Sequence, residues 1–154
     1  MFTALIRRLE VTLSADESQP AAREDALRIA TAALLIEIAR ADFGVSDEEE
    51  ATVETLLRQQ FGLDRDETRA LIEAAESASD ESASLFRFTH TLHQHLSQDD
   101  KLRIVDMLWR VALADERLDK YEDGLMHKIA DLLYVPLGAL MAVKHSVQQD
   151  LGIE

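Results

Sequence analysis

The stretch Ala41-Asp42-Phe43-Gly44-Val45-Ser46-Asp47-Glu48-Glu49 ends one helical run and opens the next, and it occurs twice. Its second copy is Ala114-Asp115-Glu116-Arg117-Leu118-Asp119-Lys120-Tyr121-Glu122, at a constant spacing of 73 residues, 114 against 41 and 122 against 49. In both copies an apolar run stops at Ala-Asp, and an aliphatic residue (Val45, Leu118) sits in the middle of a short loop. A capping residue (Ser46, Asp119) then stands three positions before a glutamate (Glu49, Glu122). That pair is a capping box, in which each side chain satisfies an orphan backbone N–H at a helix start. Each copy therefore predicts helix, tight turn, helix.

Helical readings extend outward from these turns. Residues 2–13 carry Phe2, Leu5, Ile6, Leu9 and Leu13 at helical spacing, and the polar residues 14–20 read as a linker. Residues 21–41 form a helix whose segment from Ile29 to Ala39 is apolar nearly all round, the pattern of a helix buried on most sides. The next helix starts at Ser46, places Val53, Leu56, Leu57 and Phe61 inward, and ends at Gly62, a left-handed cap. Asp64 and Glu67 form another capping box, opening a helix through Leu71, Ile72 and Ala75. Residues 77–84, rich in Ser, Asp and Glu, read as a loop. A helix with Leu85, Phe86, Phe88, Leu92 and Leu96 follows, and Ser97 caps another containing Ile104, Val105, Leu108, Trp109, Val111 and Ala112. Residues 119–133 form the helix after the second turn. Pro136, suited to a first-turn position, opens the last one. No segment alternates with period two, so no sheet is expected.

The fold class expected is all-α: a single bundle of about seven to eight helices with two pseudo-symmetric helix–turn–helix units. One domain spans residues 1–154, with an N-terminal helix and linker at 1–20, a repeat core at 21–133 and a C-terminal helix at 134–154. Length agrees, since 154 residues suit one domain with a sizeable core. Hydrophobic residues make up 47%, which favours a packed globule over disorder. Five Gly and two Pro leave helices little interrupted.

Composition also restricts function. With no cysteine there is no disulfide framework, thiolate metal site or cysteine nucleophile, which suits a reducing cytoplasm. A net charge of −14 repels a phosphate backbone, so nucleic acid is not an expected partner; cations and basic protein surfaces are. The same acidity also serves plain solubility. No apolar run approaches the roughly 20 residues that span a bilayer. Residues 1–13 lack the apolar core and cleavage site of a signal peptide. They pack on the body of the protein or lie on a membrane surface.

Ala-Asp, a short loop with an aliphatic residue, and a capped acidic helix start, given twice in a helical chain of this size, resembles the TerB-like family. These are proteins associated with tellurite resistance, and domains of some membrane-anchored J-domain co-chaperones. The resemblance spans roughly residues 22–133. Ala41, Asp42, Gly44, Val45, Ser46 and Glu49 carry it in the first copy, and Ala114, Asp115, Leu118, Asp119 and Glu122 in the second. The family loop runs close to Ala-Asp-Gly-x-Ile-x-x-x-Glu. Here Phe43-Gly44 shifts the glycine by one, and Glu116-Arg117 has none. The resemblance implies a compact helical domain, a bacterial cytoplasmic or membrane-proximal setting and a stress-related role. It carries no catalytic chemistry onto residues here.

Asp42, Glu49, Asp115 and Glu122 are the candidate metal ligands, since carboxylates on two adjacent turns suit a hard divalent cation. The EF-hand pattern is absent: counting Asp42 as position one, position twelve is Val53, and in the second copy Met126. Any site is thus assembled between the two turns, with low affinity. Purely structural roles compete, Glu49 and Glu122 as caps and the aspartates as loop-bonding side chains. Glu37 and Arg110, lone charges at equivalent repeat positions, either pair across the central helices or leave Arg110 to Asp106 one turn earlier. His90, His93 and His95 lack the Glu-x-x-His of a di-iron bundle and read as exposed or partly packed. His127 pairs with Asp123, and Trp109 belongs in the core. No nucleophile elbow or phosphate loop is present. The function expected is a non-enzymatic acidic module acting through a protein partner, a basic surface or a membrane-associated complex, with weak metal binding. The alternative is a metal-dependent enzyme using the same four carboxylates.

Overall fold

The computed structural model describes residues 20–41, 46–80, 85–114, 118 and 120–153. Among these lie seven helices and no strand: α1 (Pro20–Ala39), α2 (Asp47–Phe61), α3 (Arg65–Asp80), α4 (Leu85–His95), α5 (Gln98–Ala112), α6 (Lys120–Leu132) and α7 (Leu137–Leu151). The protein is all-α. The helix expected over residues 2–13 lies outside the described residues, as does most of its linker. None of the described helices is long and apolar enough to cross a membrane.

Capping chemistry sets several of the helix ends. Ser46 is extended (φ −73°, ψ 159°) and its Oγ accepts from the Glu49 N–H at 3.1 Å. Glu49 Oε1 accepts in return from the Ser46 N–H at 3.3 Å. The Asp64–Glu67 box is equally complete, with bonds of 2.8 and 3.0 Å. Ser97 Oγ accepts from the Asp100 N–H at 3.2 Å. Each such cap is worth about 1 kcal/mol. Gly62 closes α2 at φ 63°, and Leu63 N–H reaches back to the Arg58 carbonyl at 3.1 Å. Positive φ there is accessible at little cost only without a Cβ.

Two expectations need correction. Residues 77–80 are not loop, because α3 continues to Asp80. Ala78 packs against the core three and four positions after Ala75 and Ala74, so the apolar stripe persists beneath a Ser- and Asp-rich exterior. Pro136 is not the first residue of the last helix but its N-cap, with extended ψ of 151°.

Helix α1 lies at the centre and packs against α2, α3, α4, α5 and α6. Its run of Ile29, Ala30, Ala32, Ala33, Leu34, Leu35 and Ile38 is sealed from water, and its alanines admit close neighbours. Helix α5 is the second pillar, packing against α1, α2, α6 and α7, with Leu108, Trp109, Val111 and Ala112 fully buried. Trp109 donates from Nε1 to the Leu140 carbonyl at 3.1 Å, tying α5 to α7, and Lys144 Nζ lies 5.2 Å from its ring centre. The second helix of each repeat unit packs on the first helix of the other: α2 on α5, and α6 on α1.

Arg110 takes the local partner and adds a distant one. Its Nε donates to Asp106 at 2.6 Å and its Nη2 to Asp150 at 2.7 Å, holding α7 along α5. These bonds, that to Asp106 first, raise the guanidinium pKa further.

Because Leu34 and Leu108 are inaccessible, Leu34→Ala or Leu108→Ala is expected to cost about 2–5 kcal/mol each. Denaturant unfolding measures this, and a loss below about 1 kcal/mol at both positions would remove α1 and α5 from the role of core pillars.

Candidate functional site

The repeated turns place their glutamates alike. Glu49 stands in the first turn of α2 and Glu122 in the first turn of α6, and both are buried, at 1% and 2% exposure. A buried carboxylate is costly unless hydrogen-bonded. For Glu49 the bonds include the Ser46 N–H and the Ser46 hydroxyl, which donates to Oε1 at 3.1 Å. Asp42 and Asp115 lie outside the described residues, as does Asp119, the expected capping partner of Glu122. Among the described residues no three His, Asp or Glu side chains group so as to hold a metal. A four-carboxylate site therefore depends on the two aspartates.

Around buried Glu49 the same turn exposes Asp47, Glu48 and Glu50 to water. Their charges lie at the positive end of the α2 dipole, each favourable by roughly 0.3–1 kcal/mol. An acidic surface patch and a sealed acidic cap thus come from one turn of helix.

The histidine run holds a contact that spacing alone did not suggest. Lys101 Nζ lies 2.6 Å from His93 Nδ1, and the His93 ring centre is 4.4 Å from that of Tyr134. Lys101 is only 4% exposed. It stands one helical turn before Ile104 and Val105 and two before Leu108, on the core-facing side of α5, and that periodicity was a usable signal for its burial. Burial lowers the Lys101 pKa. It also lowers that of His93, with the Lys101 charge next in weight and His90 after it. Tyr134 itself holds φ at 59°, and its carbonyl accepts from Gln98 Nε2 at 3.3 Å. His90 stacks on Phe86 at 5.4 Å, and His127 lies 3.7 Å from Asp123.

Two clefts that share Glu54 and Arg69 in their walls were not foreseen. A space of about 420 Å³ between α1, α2 and α3 has an apolar floor of Ile36, Ala39, Val53 and Ile72. Its rim holds the Arg40–Glu76 pair, 2.6 Å apart, with Glu50, Glu54, Arg69 and Glu73. A smaller one of about 160 Å³ is lined by Glu54, Arg58, Arg65, Thr68 and Arg69. Neither is lined by Glu49 or Glu122.

The His93 contact has a pH signature. With its folded pKa below the ordinary 6.5, His93 takes up a proton less readily folded than unfolded. Stability is therefore expected to fall as pH drops below 6.5. Ring titration by NMR is expected to give a His93 pKa below 6.5, moved upward by Lys101→Met. An unmoved value in that variant would exclude the coupling.

The family model described as tellurite resistance protein TerB matches residues 28–145. No curated protein and no solved structure gives a significant match. The matched span runs from α1 into α7 and includes both repeated turns, with the buried glutamates at their equivalent places. The chain belongs to the TerB family.

Proposed function

We propose that the protein is a non-enzymatic helical binding module of a tellurite-type stress response, acting through a protein partner with a basic surface. The observation that carries this reading is the exposed acid of Asp47, Glu48 and Glu50 on a chain of net charge −14. A rigid helix start presents these charges, and complementary charge steers and selects partners. The same acidity disfavours nucleic acid. The setting proposed is cytoplasmic or membrane-proximal.

Weak binding of a divalent cation by Asp42, Glu49, Asp115 and Glu122 belongs to the same proposal. Its support is the equivalent placement of the two glutamates and the oxygen-only donor set. Such a cation would hold the two turns to one another.

Binding to a basic protein is expected to weaken steeply as salt rises past the point where screening acts within about 8–10 Å. Tight binding of DNA or RNA in a gel shift at physiological salt would overturn the proposed selectivity.

Thermal melting in chelator and in millimolar Ca²⁺, Mg²⁺, Mn²⁺ or Zn²⁺ tests the cation. Bound metal stabilises by RT ln(1 + [L]/Kd), and Asp42→Asn with Asp115→Asn is expected to abolish that shift. Glu49→Gln keeps a carbonyl for the capping box and is expected to be mild without metal. A wild type whose melting ignores every metal would leave the turns purely structural.

A further inference from the structure

Three arginines gather where the chain has fewest reasons to place them. Arg58 lies in the last turn of α2, Arg65 opens α3, and Arg69 follows one turn later. With Thr68 and Glu54 they line the 160 Å³ corner between these helices. Acidic residues number 30 against 16 lysines and arginines, so carboxylate partners are abundant. Other arginines take them: Arg28 with Glu24, Arg40 with Glu76, Arg103 with Asp100, and Arg110 with Asp106 and Asp150. Among the described residues, none of the three corner arginines makes an ion pair. Arg65 and Arg69 are moreover a like-charge pair at i,i+4, which is unfavourable on a helix.

We propose that this corner binds a phosphate-type oxyanion. Guanidinium groups present planar forks of N–H donors that match phosphate oxygens two at a time. A dianion between Arg58, Arg65 and Arg69 would convert their mutual repulsion into attraction. The Thr68 hydroxyl is already committed to the Asp64 carbonyl at 2.7 Å, so it forms wall, and the arginines supply the donors. Glu54 limits affinity and restricts the anion to the arginine side of the corner. Arg69 and Glu54 also line the larger cleft, so an organic group attached to the phosphate has an apolar floor of Ile36, Val53 and Ile72 within reach. A polyanion is disfavoured, because the surrounding rim carries Glu50, Glu73 and Glu76. The arginine corner itself contains no residue of the acidic turns and takes the opposite charge.

The test follows the arginine Nε–Hε NMR signals of the full chain during titration with inorganic phosphate, then phenyl phosphate, at constant ionic strength. Saturable shifts at Arg58, Arg65 and Arg69 are expected. Arg65→Gln with Arg69→Gln is expected to weaken binding at least about tenfold, the equivalent of one charge-assisted bond. Arg103→Gln, away from the corner, is expected to leave binding unchanged. Tighter binding of phenyl phosphate supports a phosphomonoester with its organic part in the larger cleft, and equal binding supports the free anion. Absence of saturation for both, or an unchanged affinity read at Arg58 in the double variant, overturns the proposal.

Discussion

Helix α1 has almost no face to offer to water between Ile29 and Ala39, and this constraint organises the fold. A helix apolar on every side must be covered on every side. Five others cover it, among them both helices of the second repeat unit. Helix α5 is amphipathic enough to carry Arg110 outward, yet its buried face supplies Trp109 to the same core. The Trp109–Leu140 bond and the Arg110–Asp150 pair then fasten α7 along α5. Everything peripheral is positioned by reference to these two helices.

Several polar groups enter this interior with a hydrogen-bond partner. Thr31, buried in α1, returns its hydroxyl to the Leu27 carbonyl at 2.8 Å, and Thr89 does the same toward Leu85 and Phe86 at 3.0 Å. Lys101 Nζ faces Nδ1 of His93. Glu49 folds back onto the residue that caps its own helix. Each of these hydrogen bonds removes much of the desolvation cost that burial imposes.

Local chemistry was the legible part. Ser46 with Glu49, Asp64 with Glu67, Ser97 and Gly62 act over three or four residues, so their geometry is implied by spacing. The periodicity of residues 29–39 and 104–112 likewise implied burial. Residues 77–80 misled because composition outweighed the position of Ala78 on the stripe. Contacts between distant segments were hidden: Arg110 with Asp150, Lys101 with His93, and the arginine corner, which needs Arg58 brought beside Arg65 and Arg69 across a turn. Of the acidic site, the equivalence of Glu49 and Glu122 was readable from the repeat, while their near-complete burial depended on packing by other helices.

The crossed packing of the repeat bears on how the chain assembles. Since α2 rests on α5 and α6 rests on α1, each unit keeps a large part of its apolar surface for the other. Separated from the other, each half would expose that surface to water. Two fragments divided between α3 and α4 would each lack a lid and would recover structure by finding one another. In two intact copies of the chain, the same complementarity lets the first unit of one molecule embrace the second unit of its neighbour. The interface of such an exchanged dimer would be the monomer's own core.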